Sequence, residues 1–216
     1  MVPYWVKTPQ WLIRFFPREL IWKMPPAAEP AVYLTFDDGP HPDATAFVLD
    51  QLRLNGAKGT FFCIGKNVAD HAELYQRILD EGHAAGNHTQ DHLNGWKTGN
   101  WRYLHNIALA STVINSRNYR PPYGRIKISQ ARSLAKAKRP WRIYMWDVLS
   151  GDFDSAITSE QCLNNVLQNM EPGSIVVFHD SKKAFPHLQY VLPQVLKFGR
   201  QKGWIFKSLP SHDTLH

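Results

Sequence analysis

From residue 31 onward, short apolar runs alternate with stretches of helical periodicity, and this alternation constrains the fold more than any other feature. Strand-type runs lie at 31–36, 59–64, 83–88, 142–148, 174–179 and 204–209, the weakest being 83–88. Helical patterns fill the intervals at 43–55, 68–81, 100–116, 129–138, 158–169 and 186–202. Repeated strand and helix units build a parallel sheet with helices outside it, because each parallel connection needs a crossover. The expected fold is α/β: a distorted, incomplete parallel (β/α) barrel of about seven strands, in a single domain. In the 43–55 helix, Val48, Leu49 and Leu52 share one face, and Gly56 stands where a C-terminal cap belongs.

A chain of 216 residues, 44% hydrophobic and 20% charged, buries a self-sufficient core and is neither disordered nor fibrous. Residues 1–30 differ in character, with Trp5, Trp11, Phe15, Phe16, Trp22 and a proline cluster. They are expected to form an extension packed on a 31–209 body, with a 210–216 tail. The other reading is a membrane-surface foot, in which Trp11, Phe15, Arg14 and Arg18 make a basic amphipathic turn. Lys7, Pro9, Arg14 and Pro17 break the apolar groups at the start, so no signal-peptide core is visible. No run reaches the ~18 apolar residues of a transmembrane span. On its face the sequence reads as soluble and cytoplasmic. Cys63 and Cys162 form no C-x-x-C pair and read as small buried hydrophobes.

The net charge of +7 is unevenly placed: residues 92–146 carry 11 basic groups and no acidic one. Such a run suits a solvated helix face with site arginines, or else an anionic partner. No nucleic-acid-binding motif accompanies it, so nucleic acid is not expected as a partner. Of Trp96, Trp101, Tyr103 and Tyr123, at least two are expected in the core and the rest are free to stack on sugar faces.

Functional groups of such barrels gather at the C-terminal ends of the strands. Asp37 and Asp38 follow one strand run, His88 and His92 a second, Asp147 and Asp152 a third, His179 and Asp180 a fourth. Adjacent carboxylates repel unless a cation lies near, so Asp37-Asp38-Gly39-Pro40 reads as a metal ligand beside a base, or as a capping turn. His88 and His92, at i and i+4, are expected on one side of a helical turn, a metal-ligand spacing. A carboxylate from elsewhere would complete a three-ligand hydrolytic site. Arg120-Pro121-Pro122-Tyr123-Gly124 is a rigid turn, either a surface loop or an arginine held beside a carboxylate with backbone N–H groups exposed. His179 after an apolar run is either a satisfied core group or a catalyst.

Together these segments resemble the polysaccharide deacetylases of the NodB-homology type, carbohydrate esterase family 4. The motifs are TFDDGP at 35–40, HTQDH at 88–92, RPPYG at 120–124, a degenerate WDVLSGDF at 146–153 and VFH at 177–179. The resemblance implies a metal-dependent hydrolase that removes N-acetyl groups from an N-acetylhexosamine glycan. It makes Asp38, His88 and His92 the ligands of zinc, or of another divalent metal such as cobalt. It makes Asp37 the general base and His179 the general acid, with Arg120 orienting Asp37. The Tyr123 N–H would stabilise the oxyanion, and Pro122, Trp146 and Phe153 would wall the substrate. In the fourth motif Leu149 replaces the family's first Asp and Phe153 its Trp, which leaves Asp152 or Asp147 to orient His179. Val177 replaces the usual Leu of the last motif. The basic rim suggests an anionic glycan such as peptidoglycan. The lack of a visible export signal favours an alternative, the same C–N hydrolysis on a small amide or cyclic imide. A non-catalytic glycan-binding module is disfavoured, because neither base nor ligand is lost.

Overall fold

The strand Ala31–Asp37 (β2) is buried at every position, as a parallel strand covered on both faces must be. Its side chains alternate between two layers. Phe36 faces outward and stacks with Phe61 and Phe178 at centroid distances of 5.0 and 6.0 Å, under the helices. Tyr33, Thr35 and Asp37 face the other way, into the barrel interior with Phe62 and Tyr144. This computed structural model describes residues 4–210.

The other strands are Leu20–Ile21 (β1), Thr60–Cys63 (β3), Ala84–Asn87 (β4), Asn118–Tyr119 (β5), Arg142–Tyr144 (β6), Val148–Leu149 (β7), Ile175–His179 (β8) and Ile205–Phe206 (β9). They pair in parallel in the order β1-β6-β5-β4-β3-β2-β8-β7, with β9 pairing to the start of β2. The helices are Gln10–Ile13 (α1), Pro42–Leu54 (α2), Gly65–Asp70 (α3), Ala72–Asp80 (α4), Asn100–Ala110 (α5), Ile128–Ala135 (α6), Ser159–Leu167 (α7) and Phe185–Gln201 (α8). In α2, His41 accepts a hydrogen bond from the Ala44 N–H, Pro42 opens the first turn and Val48, Leu49 and Leu52 face the core.

The α/β incomplete barrel is thus present, with more and shorter strands than expected. The expected strand 142–148 is two strands on opposite sides of the sheet, β7 at one edge and β6 next to β1 at the other, since the chain crosses the barrel's open seam at 145–147. The expected helix 68–81 is interrupted at His71, whose backbone (φ −135°, ψ 51°) is not helical. Helical periodicity persists across such a break, so the sequence pattern alone does not reveal it.

The N-terminal segment meets both edges of the seam. β1 pairs with β6, while Lys7 bridges antiparallel to Val148 and the Leu149 N–H donates to Val6 O at 2.8 Å. Unpaired sheet edges are thereby covered. Of the expected extension and tail, residues 1–3 and 211–216 lie outside the described residues. Cys63 and Cys162 are free thiols in the core, as expected. Among the described residues no helix is long and apolar enough to cross a membrane.

Candidate active site

Strand register sets the first pair of functional groups. Asp37 ends β2 directly opposite His179, which ends β8. Side chains at paired positions of a parallel ladder share a face, so both are presented on the same rim of the barrel. Two positions earlier on that face lies Thr35, and Arg120, just beyond β5, reaches both. Its Nη1 donates to Thr35 Oγ1 at 2.7 Å and to Asp37 Oδ1 at 2.8 Å. Nε donates to Tyr144 O at 3.2 Å and Nη2 to Met145 O at 2.8 Å, and the guanidinium lies 4.2 Å from the Phe62 ring centroid. Arg120 is completely buried, so these partners replace water for a charge that cannot be neutralised.

Beyond Asp37 the backbone turns at once: Asp38 has φ 81°, and its carboxylate faces His88 and His92. Ligand atoms of the three residues lie within 4.8 Å of one another. Asp38 Oδ1 is 3.6 Å from His88 Nε2 and 3.1 Å from His92 Nε2, yet it is buried without a hydrogen-bond partner. Burial alone would push Asp38 upward, but the surrounding imidazoles, His92 first, hold it well below the usual carboxylate range. His88 Nδ1 donates to Arg120 O at 2.8 Å, which turns the Nε2 lone pair toward Asp38. Burial pushes His88 down to about 4, so its imidazole is neutral near pH 7 and able to ligate. His92 Nδ1 lies 3.1 Å from the Tyr123 hydroxyl. Two converging imidazoles and an orphaned carboxylate oxygen fit a divalent cation.

The helical turn expected at 88–92 is absent. Thr89 (φ 68°) and His92 (φ 54°) are left-handed, and this irregular backbone, not a helix, brings the imidazoles together. Asp38, Thr89, His92 and Tyr123 (φ 60°) are the non-glycine residues with positive φ among the described residues, and all surround one point. Such backbone costs of order 1 kcal/mol or more per residue and persists where a site requires it. Tyr123 sits in the 3₁₀ turn Pro122–Gly124, whose early N–H groups have no intrahelical partner. Gly124 admits the Trp146 ring, which a Cβ would meet at 2.6 Å.

Asp152 orients His179, and Asp147 does not. Asp152 Oδ1 accepts from His179 Nδ1 and Oδ2 from the His179 backbone N–H, both at 2.7 Å. Burial opposes the charged imidazole, but the Asp152 carboxylate outweighs it and raises His179 to about 9. Asp147 instead accepts from Lys7 Nζ, Ser174 Oγ and the Ile175 N–H. Phe153 stands edge-on to His179 (5.2 Å, 73°), and Tyr4 backs Phe153 at 5.4 Å. Of the four aromatics weighed between core and surface, Tyr103 alone is in the core; Trp96, Trp101 and Tyr123 are exposed.

Sequence reasoning assigned no role to Asp180. Its carboxyl accepts from the Gly39 N–H at 3.0 Å and from Thr45 Oγ1, fixing the turn after Asp38. A Cβ on Gly39 would lie 2.0 Å from Asp180 Oδ2, so this position requires glycine. Burial pushes Asp180 up to about 7. Asn67, also unassigned, donates to Asp38 O at 2.7 Å.

The polysaccharide deacetylase family profile matches residues 25–139. A peptidoglycan-N-acetylglucosamine deacetylase of Bacillus cereus is 32% identical over 191 residues, 83% of this chain and 67% of its own. A chitooligosaccharide deacetylase of Azorhizobium caulinodans is 34% identical over 158 residues, 69% of this chain and 73% of its own. The crystal structure of the Bc1960 peptidoglycan N-acetylglucosamine deacetylase superposes with a TM-score of 0.77 at 30% identity, covering 94% of this chain and 95% of that one. The chain belongs to the polysaccharide deacetylase family, carbohydrate esterase family 4.

Proposed function

We propose that this protein is a metal-dependent N-deacetylase acting on N-acetylhexosamine units of a glycan, with zinc, or cobalt in its place, as the metal. The observation that carries the reading is the convergence of the Asp38, His88 and His92 donor set with Asp37–Arg120 on one side and His179–Asp152 on the other. A hydrolysis of this kind needs an electrophile holder, a base and an acid within one substrate's reach, and these three units supply them. The similarity to peptidoglycan and chitooligosaccharide deacetylases supports a glycan as substrate.

Asp38, His88 and His92 would hold the cation, which when bound polarises a carbonyl and lowers the pKa of water. Arg120 anchors Asp37 through Oδ1, and Asp37 Oδ2 takes the proton from the attacking water. The Tyr123 N–H donates to the oxyanion as it develops. His179, held protonated and aimed by Asp152, gives its proton to the departing amine, which is otherwise too basic to leave. Trp146, Pro122 and Phe153 wall the sugar ring.

Acetate release by the purified protein from N-acetylglucosamine oligomers, peptidoglycan fragments and small acetamides, with added zinc and after chelation, tests the reading. Chelator-sensitive release from a glycan, abolished in Asp37→Asn, is expected. Release from small amides alone would replace the glycan with the alternative substrate class, and no release with metal bound would refute the assignment.

A further inference from the structure

We propose that the outward face of the N-terminal segment is a docking surface for an anionic lipid bilayer. The proposal does not depend on the substrate reading above, and its test needs no turnover. The segment is fixed to the barrel at both ends. At one end the Thr8 N–H donates to Asp147 O at 2.9 Å and the Leu149 N–H to Val6 O at 2.8 Å, and at the other β1 pairs with β6. Between these anchors the aromatic side chains divide between two faces. Phe16 turns inward, packs against Trp22 at 5.0 Å and joins Ile13 on the core around Tyr103 and Tyr119. Trp5, Trp11 and Phe15 turn outward in successive edge contacts of 5.8 and 6.5 Å, with Trp11 59% and Phe15 78% exposed. A segment anchored at both ends that still holds three large aromatics in water marks a contact surface, not a strand of chain awaiting burial.

The patch does not end at the segment. Across a shallow cleft that Phe15 and Pro17 line from one side, Trp96 and Ile128 stand on the other, both more than half exposed. Cations are interspersed with these side chains. Arg14 and Arg18 are exposed on the segment, Lys127 lines the cleft, and the Arg125 guanidinium lies over the Trp96 ring at 5.3 Å. None of the four is ion-paired among the described residues. Glu19 is the one carboxylate between residues 4 and 22, and residues 92–146 contain no acidic side chain. Exposed rings among unneutralised cations match a headgroup layer of negative charge, where the rings sink toward the acyl chains and the guanidinium groups meet lipid phosphates. The same pattern disfavours a second copy of this chain, because a two-fold contact would set Arg14 and Arg18 against their own counterparts. Trp5, Trp11 and Phe15 also form a ridge that stands out from the surface, a shape suited to insertion among headgroups.

Cosedimentation of the full chain with vesicles tests the proposal, using phosphatidylcholine alone and phosphatidylcholine mixed with phosphatidylglycerol. The protein should sediment with the anionic vesicles at low salt and be released at high salt, because salt screens the attraction. Arg14→Gln and Arg18→Gln should each weaken partitioning about fivefold, the scale of one basic residue at an anionic surface. Trp11→Ser combined with Phe15→Ser should weaken it at least about tenfold. Leu54→Ser removes an exposed apolar side chain at the end of α2, which packs on α4 and α8 away from this face, and should bind like the native protein. All of these variants alter exposed side chains, so their melting temperatures should stay near native and separate lost binding from lost fold. Lipids brominated in the acyl chains should quench the tryptophan fluorescence of the native protein, which reads insertion and not charge attraction alone. No sedimentation with anionic vesicles at low salt would overturn the proposal, as would binding unchanged in the arginine and aromatic variants alike, or binding without quenching. Concentration-dependent dimers that vanish with Trp11→Ser and Phe15→Ser would assign the face to a second copy and overturn it as well.

Discussion

Replacing Asp152 by Asn isolates the contribution of one carboxylate to the acid. The native carboxylate accepts two hydrogen bonds from His179, one from the ring and one from the backbone, each at 2.7 Å. Asn offers a single oxygen, so its amide must face one of these donors, and the attracting charge is gone. In the native protein burial disfavours the imidazolium, yet Asp152 raises His179 to about 9 from an ordinary 6.5. That difference corresponds to about 3 kcal/mol, and the His179 side chain is only 17% exposed, so solvent screening does not erase it. A group whose folded pKa is raised stabilises the fold fully below 6.5 and loses that contribution as pH climbs through about 9. The native enzyme should therefore keep its acid protonated until about pH 9, whereas in Asp152→Asn the alkaline limb of kcat should fall by about 2.5 pH units, back to the ordinary 6.5. At pH 8 the variant should be about 30-fold slower, and the deficit should narrow as pH drops. Its loss in Tm should be larger at pH 6 than at pH 10. A pH–rate profile on a glycan oligomer with parallel melting curves measures both, and an unmoved alkaline limb would refute the reasoning.

Three further predictions follow from other parts of the site. Arg120→Lys should lose about 3 kcal/mol or more in urea unfolding, because one ammonium cannot serve four acceptors at four positions and Asp37 is left poorly paired. Zinc at about 100 times its Kd should stabilise the native protein by about 2.7 kcal/mol in thermal melts, and this gain should vanish in Asp38→Asn and His92→Ala. Tyr4→Ala should lower kcat several-fold at unchanged KM by withdrawing support from Phe153 and so from His179, whereas Tyr4→Phe should remain near native.

What the sequence made legible follows from where the information is local. The strand Ala31–Asp37 and the helix Pro42–Leu54 carry long periodic patterns, and their caps are written in neighbouring residues. β1, β5 and β7 have two residues each, too few for any periodicity, and they exist because neighbouring strands offer hydrogen-bonding edges. Asp37, Asp38, His88, His92 and His179 were legible because strand ends precede them. The choice between Asp147 and Asp152 was not, since it depends on which side of the open seam each occupies. Asp147 is drawn off by Lys7, a residue about 140 positions away. The exposure of Trp96 and Trp101 was equally hidden, because aromatic composition does not reveal which ring borders a cleft.

The most direct measurement is an anomalous difference map at the zinc absorption edge from crystals of the zinc-loaded protein. One peak within coordination distance, about 2 Å, of an Asp38 oxygen and the His88 and His92 Nε2 atoms is the predicted result. An empty site under saturating zinc, or a peak held by other side chains, would contradict the account.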